Sequence, residues 1–223
     1  MHIKVRFFLA KLNIPNENLI SRLKSAAHNH PDNIEIEEAD ETSGRASISI
    51  ISSRLVTIFR RNENGEISTE SIDTLDQTSI NLLTTKKGVL ISAISPPRGA
   101  KYIEFLLEAL SPNDLYFYEP LEITDKIIKK HVSKFEVSKL VSAKIRDFSV
   151  YDGAVGRLEI ASKNGLTDEI APFLIGKNFK IDTLTYEISH RFSNFSISYS
   201  SNGTVKFNKN HIDQLLSSFE RIA

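Results

Sequence analysis

The sequence predicts an α+β fold: two lobes of mainly antiparallel sheet with packed helices, residues 1–112 and 113–223. Three observations carry that reading. Segments with an apolar residue at every second position alternate with segments whose apolar residues recur every three or four. The turn dipeptides Asn64-Gly65, Asp152-Gly153 and Asn202-Gly203 separate strand-like runs, as hairpin turns do. No heptad, solenoid repeat or low-complexity tract organises the chain in another way.

The elements follow in order. Residues 2–9 alternate as a strand, with Ile3, Val5, Phe7 and Leu9 facing one way. Residues 16–29 form an amphipathic helix with Leu19, Ile20, Leu23, Ala26 and Ala27 on its apolar face, Asn16 as N-cap, and an end imposed by Pro31. Two strand-like runs follow, 46–51 and 54–60. The polar stretch 68–85 has no clear period and fits a short helix. Residues 88–95 read as a buried strand. A helical period then places Tyr102, Phe105, Leu106, Ala109 and Leu110 on one face, with Pro112 after the end. "LYFYEPL" is a short aromatic strand, expected at a lobe or subunit junction because Tyr and Phe suit amphipathic surfaces. Thr124 and Asp125 open a helix that buries Ile127, Ile128, Val132 and Phe135.

The last hundred residues are hairpin-rich. "KLVSAKIRDFSVY" and "AVGRLEIAS" flank Asp152-Gly153. A short helix is expected near 167–176, capped by Thr167, with Pro172 in its first turn and Gly176 at its end. "FKIDTLTYEISHRF" and "FSISYS" are strands, and Asn202-Gly203 turns into "TVKF". A final helix carries Ile212, Leu215, Leu216, Phe219 and Ile222 on one face.

Composition excludes several chemistries. The chain has no Cys, which rules out disulfides, thiolate nucleophiles and zinc-thiolate sites. The N-terminal stretch carries Lys4 and Arg6 and has no signal-peptide core. No stretch approaches the roughly 18 apolar residues that span a bilayer. The expected compartment is the cytoplasm.

Residues 28–30 spell His-Asn-His, the name of a nuclease family. In that family the named residues are spread along a ββα unit and converge on a metal. Three consecutive residues cannot reproduce the geometry, and His28 and His30 suit the negative end of a helix dipole. A metal role would need carboxylates, which the run Asp32, Glu35, Glu37, Glu38, Asp40, Glu41 could supply. A restriction-type arrangement needs an Asp before a strand bearing Glu-x-Lys. Here Asp152 precedes Glu159, but Lys163 lies four residues on, about 13 Å away along a strand. No glycine-rich phosphate loop and no G-x-S-x-G elbow occur. His2, His131, His190 and His211 are scattered singly, without metal-ligand spacing. Neither a cofactor nor a metal is expected.

Net charge is zero but segregated. Residues 32–41 hold six acids and no base. Residues 126–146 hold Lys126, Lys129, Lys130, Lys134, Lys139, Lys144 and Arg146, plus His131, against the single acid Glu136. Such a run is either a solvated face or an electrostatic footprint for a polyanion. On the second reading Lys126, Lys130 and Lys134 stack four apart with Lys129 beside them, and Lys144 and Arg146 share a strand face. Arg98 and Lys101 complete the candidate DNA-contacting set.

The order "RLVTIFRRN", "GVLISAISPPRGAKYIEFLLEAL", "LYFYEPLEITDKIIKKH", "KLVSAKI" resembles the RexA-like phage-exclusion proteins of lambdoid prophages, and more loosely KwaB-like defence proteins. The most pointed similarity is Glu119-Pro120-Leu121, after a helix and before Thr124-Asp125; the likeness covers about residues 50 to 200. It implies a two-lobed homodimer that binds duplex DNA nonspecifically, performs no catalysis, and acts with a membrane protein during phage exclusion. Two other readings stand beside it: a metal-dependent nuclease, and a protein-interaction subunit without nucleic-acid binding.

Overall fold

The structure, a computed structural model, describes residues 2–13, 18–30, 33–94, 101–111, 116–151, 154–166, 179–190 and 193–223. The fold is α+β. Eleven strands and four helices are present among the described residues, and every strand pair with a described register is antiparallel. No described helix is long and apolar enough to cross a membrane. The chain divides into two compact units. A middle unit spans Ala10–Phe117, and a terminal unit combines Met1–Leu9 with Tyr118–Ala223. The chain passes between them inside β1 (His2–Leu12) and again inside β6 (Tyr116–Pro120).

The middle unit contains α1 (Leu19–Asn29), β2 (Ile34–Asp40), β3 (Arg45–Arg61), β4 (Ile67–Thr85), β5 (Gly88–Ile94) and α2 (Lys101–Leu110). Its strands lie in chain order, β2-β3-β4-β5. Alternation explains its core. Ile48, Ile50, Ile80 and Leu82 point to one face and are buried, while Ser47, Ser79 and Asn81 point to the other. The helices cover the apolar face: the Tyr102 hydroxyl of α2 reaches the Ser52 hydroxyl at 2.7 Å. Leu19, Ile20, Leu23 and Ala26 of α1 and Ile103, Leu106, Leu107 and Leu110 of α2 are buried.

Several expectations change here. The runs 46–51 and 54–60 are one strand, β3. The stretch 68–85 is not a short helix but most of β4, paired with β3 without interruption from Ile67 to Leu83. Its Ser and Thr residues blur the apolar period, yet they suit a strand whose backbone is satisfied by its neighbour. Glu35, Glu37, Glu38 and Asp40 of the acidic run lie in β2, an edge strand whose charges discourage further pairing. The α2 face centres on Ile103 and Leu107 rather than on Tyr102, Phe105 and Ala109, which are half-buried. Helix α1 starts at Leu19, after Asn18; Asn16 and Pro31 lie outside the described residues.

The terminal unit holds α3 (Asp125–Val132), β7 (Val137–Tyr151), β8 (Ala154–Ala161), β9 (Lys180–His190), β10 (Ser193–Ser200), β11 (Thr204–Asn208) and α4 (Ile212–Glu220). Its strand order is β1-β11-β10-β9-β7-β8, and β6 also pairs with β1. The first strand thus lies beside the last, with Val5 opposite Val205. Buried positions of β1 lie on both faces, Val5 and Phe7 on one, Phe8 and Ala10 on the other, instead of the single face Ile3 to Leu9. Phe7, Phe207 and Phe219 pack together, with the Phe7 and Phe219 ring centroids 4.6 Å apart. Gly203 turns β10 into β11 at φ +82°, and its carbonyl accepts from the Phe7 N–H at 2.8 Å. The expected helix at 167–176 and the turn Asp152-Gly153 lie outside the described residues. The strands flanking that turn do pair, with Ile145 opposite Leu158.

Candidate functional site

Helix α3 is positioned by its sequence at both ends and on its inner face. The Thr124 hydroxyl caps it, accepting from the Ile127 N–H, and Asp125 supplies the acid favoured in a first turn. Ile128, His131 and Val132 are buried, with Ile127 partly covered. This inner face holds the orientation of the outer one, where Lys126, Lys129 and Lys130 are exposed.

His131 is not part of the cationic face. Its side chain is fully buried, and its Nδ1 shares a 2.7 Å hydrogen bond with the Tyr199 hydroxyl. The ring meets Phe135, Tyr199 and Phe219 edge-on at centroid distances of 5.3, 5.8 and 5.3 Å. Burial, followed by the charge of Lys134, pushes its pKa down to about 3, against a pull the other way from the Leu215 carbonyl. Nε2 lies buried without a hydrogen bond of good geometry. The imidazole is therefore neutral at pH 7. Burial also raises the Tyr199 hydroxyl far above the ordinary range, and raises that of Tyr186, where Asp125 adds a smaller effect. The period-four spacing of lysines gave no sign of this, because it counts only the outward side of the helix.

The structure brings some of the sequence-predicted bases together and separates others. Lys134 lies beyond the end of α3 rather than on it. Its Nζ donates to the Ser218 carbonyl of α4 at 3.2 Å. Partial burial, then the charges of Arg221 and Lys130, hold its pKa below the usual lysine value. Lys130, Lys134 and Arg221 thus form one cationic group drawn from both ends of the terminal unit's later chain. Arg221 escaped sequence reasoning because it is an isolated base 87 positions from Lys134 (221 − 134). Lys129 is partly offset by Asp125, 3.3 Å away and one turn back.

The bases of β7 stand apart. Lys144 pairs with Glu159 of β8 at 3.0 Å, directly across the ladder. Lys139 donates to the Lys163 carbonyl at 2.7 Å. Arg146 is exposed, and the neighbouring Asp147 pairs with Lys180. Lys101 opens α2 in the middle unit, and Arg98 lies outside the described residues.

Several of the nuclease candidates have other partners. His28, Asn29 and His30 decorate the exposed end of α1, where the His30 ring rests edge-on near Phe105. In the acidic run, Glu37 accepts from Ser47 and Ser49, Glu41 pairs with Lys24, and Asp40 accepts from Ser43 and the Thr42 N–H, which lowers its pKa. Glu159 is engaged by Lys144, and Asp152 lies outside the described residues. Among the described residues no three His, Asp or Glu side chains come together as a metal site.

The chain matches no protein-family model and no curated protein. Among solved structures it aligns with an unknown protein from Galdieria sulphuraria, 11% identical over 100% of this chain and 92% of that one. The TM-score of 0.20 is too low for that likeness to bear on fold or function.

Proposed function

We propose that this protein binds duplex DNA with little sequence preference and without catalysing a reaction on it, using the outer face of α3 as its phosphate-contacting surface. One observation carries the reading. Lys126, Lys129 and Lys130 are exposed on a helix anchored by a buried face, and Lys134 and Arg221, just past the ends of α3 and α4, extend the positive charge. Phosphate contacts of this kind position a protein on DNA but read no bases. The resemblance to RexA-like proteins is the source of the remaining detail: a two-lobed cytoplasmic homodimer, a role in phage exclusion, and a membrane protein as partner. Lys144, already paired with Glu159, contributes least in this reading.

The test is fluorescence anisotropy on two short duplexes of unrelated sequence across a salt series. Lys126→Glu, Lys130→Glu and Lys134→Glu together should weaken binding to both duplexes by the same factor. The slope of log affinity against log salt should fall by roughly 0.9 for each phosphate that the variant no longer neutralises. A triple variant with the parent's affinity and slope sinks the proposal. DNA cut in the presence of magnesium would favour the nuclease reading instead.

A further inference from the structure

Strands β3 and β4 outrun their neighbours. Among the described residues, β2 stops pairing with β3 at Ile50 and β5 stops pairing with β4 at Ser79. Beyond those points β3 and β4 continue as a two-stranded ribbon to Arg61 and Ile67. Two-stranded hairpins are marginal in water unless one face is covered.

One face of this ribbon is apolar and bare. The register runs without a shift, so residues of odd number on both strands share a side. That side carries Leu55, Phe59, Ile67 and Leu75, exposed to 65, 72, 68 and 75%. At roughly 150–200 Å² for a whole side chain of this size, they leave on the order of 500 Å² of apolar surface in water. Adding the polar half of the face approaches the roughly 600 Å² per partner at the low end of specific interfaces.

The face is also complementary to itself. Leu75 stands across from Ser53, and Phe59 across from Thr69. Leu55 faces Asp73, and Ile67 faces Arg61, while the central rung, Thr57 with Ser71, is small on both strands. Each outer rung therefore holds one large apolar residue and one smaller or polar residue. A two-fold axis across the ribbon at that central rung would set Leu55 over Phe59 and Leu75 over Ile67 of the other copy, apolar on apolar. Arg61 and Asp73 are the charged residues of the odd face; Arg54, Arg60, Glu70 and Asp76 lie on the even face, where Arg60 pairs with Glu70 at 3.2 Å. The same axis places Arg61 over Ser53 and Asp73 over Thr69 of the other copy, so no charge is set against an apolar side chain.

We infer that the odd-numbered face of the β3–β4 ribbon docks on the same face of a second copy of this chain. The inference rests on the homodimer proposed above and goes beyond it by naming the surface. It needs no nucleic acid to be tested. Sedimentation equilibrium should give a concentration-dependent mass twice 25.1 kDa. Phe59→Ser with Leu75→Ser should weaken the dimer at least tenfold while leaving the far-UV spectrum unchanged, and the urea midpoint as well at concentrations where both proteins are monomeric, since both side chains are exposed in the single chain. The chain has no Cys, so a thiol introduced by Thr57→Cys is the only one present. A short bismaleimide should then couple two chains through Thr57→Cys and not through Ser68→Cys on the opposite face. A monomer at every concentration overturns both the dimer and its surface. A dimer indifferent to the two serine changes, or coupled equally through either thiol, overturns the ribbon surface alone. Co-flotation of a monomeric protein with anionic vesicles, lost in the serine variant, would assign the face to a membrane and overturn the inference as well.

Discussion

Acidification should destabilise this protein through His131, and by an amount the structure sets. The ring is neutral in the folded state, with a pKa lowered to about 3 by burial and by the charge of Lys134. In the unfolded chain it returns to 6.5. The unfolded state therefore binds one more proton throughout the interval between those values. Stability from this group is complete above pH 6.5 and is lost as pH falls toward 3. The slope within the window is about 1.4 kcal/mol per pH unit, which amounts to about 2 kcal/mol between pH 8 and pH 5. Urea unfolding followed by circular dichroism at pH 8, 7, 6 and 5 measures it. His131→Gln provides the reference, because glutamine keeps a polar group toward Tyr199 and does not titrate. The variant starts less stable, since it disturbs a packed aromatic site. The gap between the two proteins should shrink by about 2 kcal/mol on acidification, whatever the other histidines contribute, because they are common to both. Parallel pH curves would refute the neutral, buried imidazole.

Other outcomes follow from individual residues. Gly203→Ala should cost about 2–5 kcal/mol by urea unfolding: left-handed backbone costs roughly 1–2 and overpacking roughly 1–3. The added Cβ would lie 2.8 Å from the Phe7 carbonyl oxygen and 2.9 Å from that of Leu121; a change under about 0.5 kcal/mol would contradict this geometry. His28→Ala with His30→Ala should cost at most about 1 kcal/mol in the same assay, from the removal of a dipole interaction, and leave DNA binding intact. Arg221→Glu should weaken binding to every duplex in the anisotropy assay, as the lysine changes do, although no sequence run contains it. An unchanged affinity would remove Arg221 from the surface.

Local pattern was enough to read most strands of the terminal unit, the helices at 19–29, 101–110, 125–132 and 212–220, and the exposure of Lys126, Lys129 and Lys130. These depend on period and turn chemistry, which act over a few residues. Where side chains on both faces of a strand are polar and small, as along β4, period carries little information. There the strand is defined by its partner β3 rather than by its own residues. Likewise β1 shows one apolar stripe in isolation, but both of its faces are buried, with Phe7 against Phe219 on one and Phe8 against Tyr118 on the other. The candidate site divides in the same way. The lysine spacing is local, so the outer face of α3 could be read directly. The burial of His131 against Tyr199 and Phe219, and the approach of Arg221 to Lys134, join residues 68, 88 and 87 positions apart (199 − 131, 219 − 131, 221 − 134). Charge and burial at such positions depend on distance in space. Only the packing of α3 and α4 on the sheet determines that distance, and it converts one apparent cation into a neutral core ring while adding another from the far end of the chain.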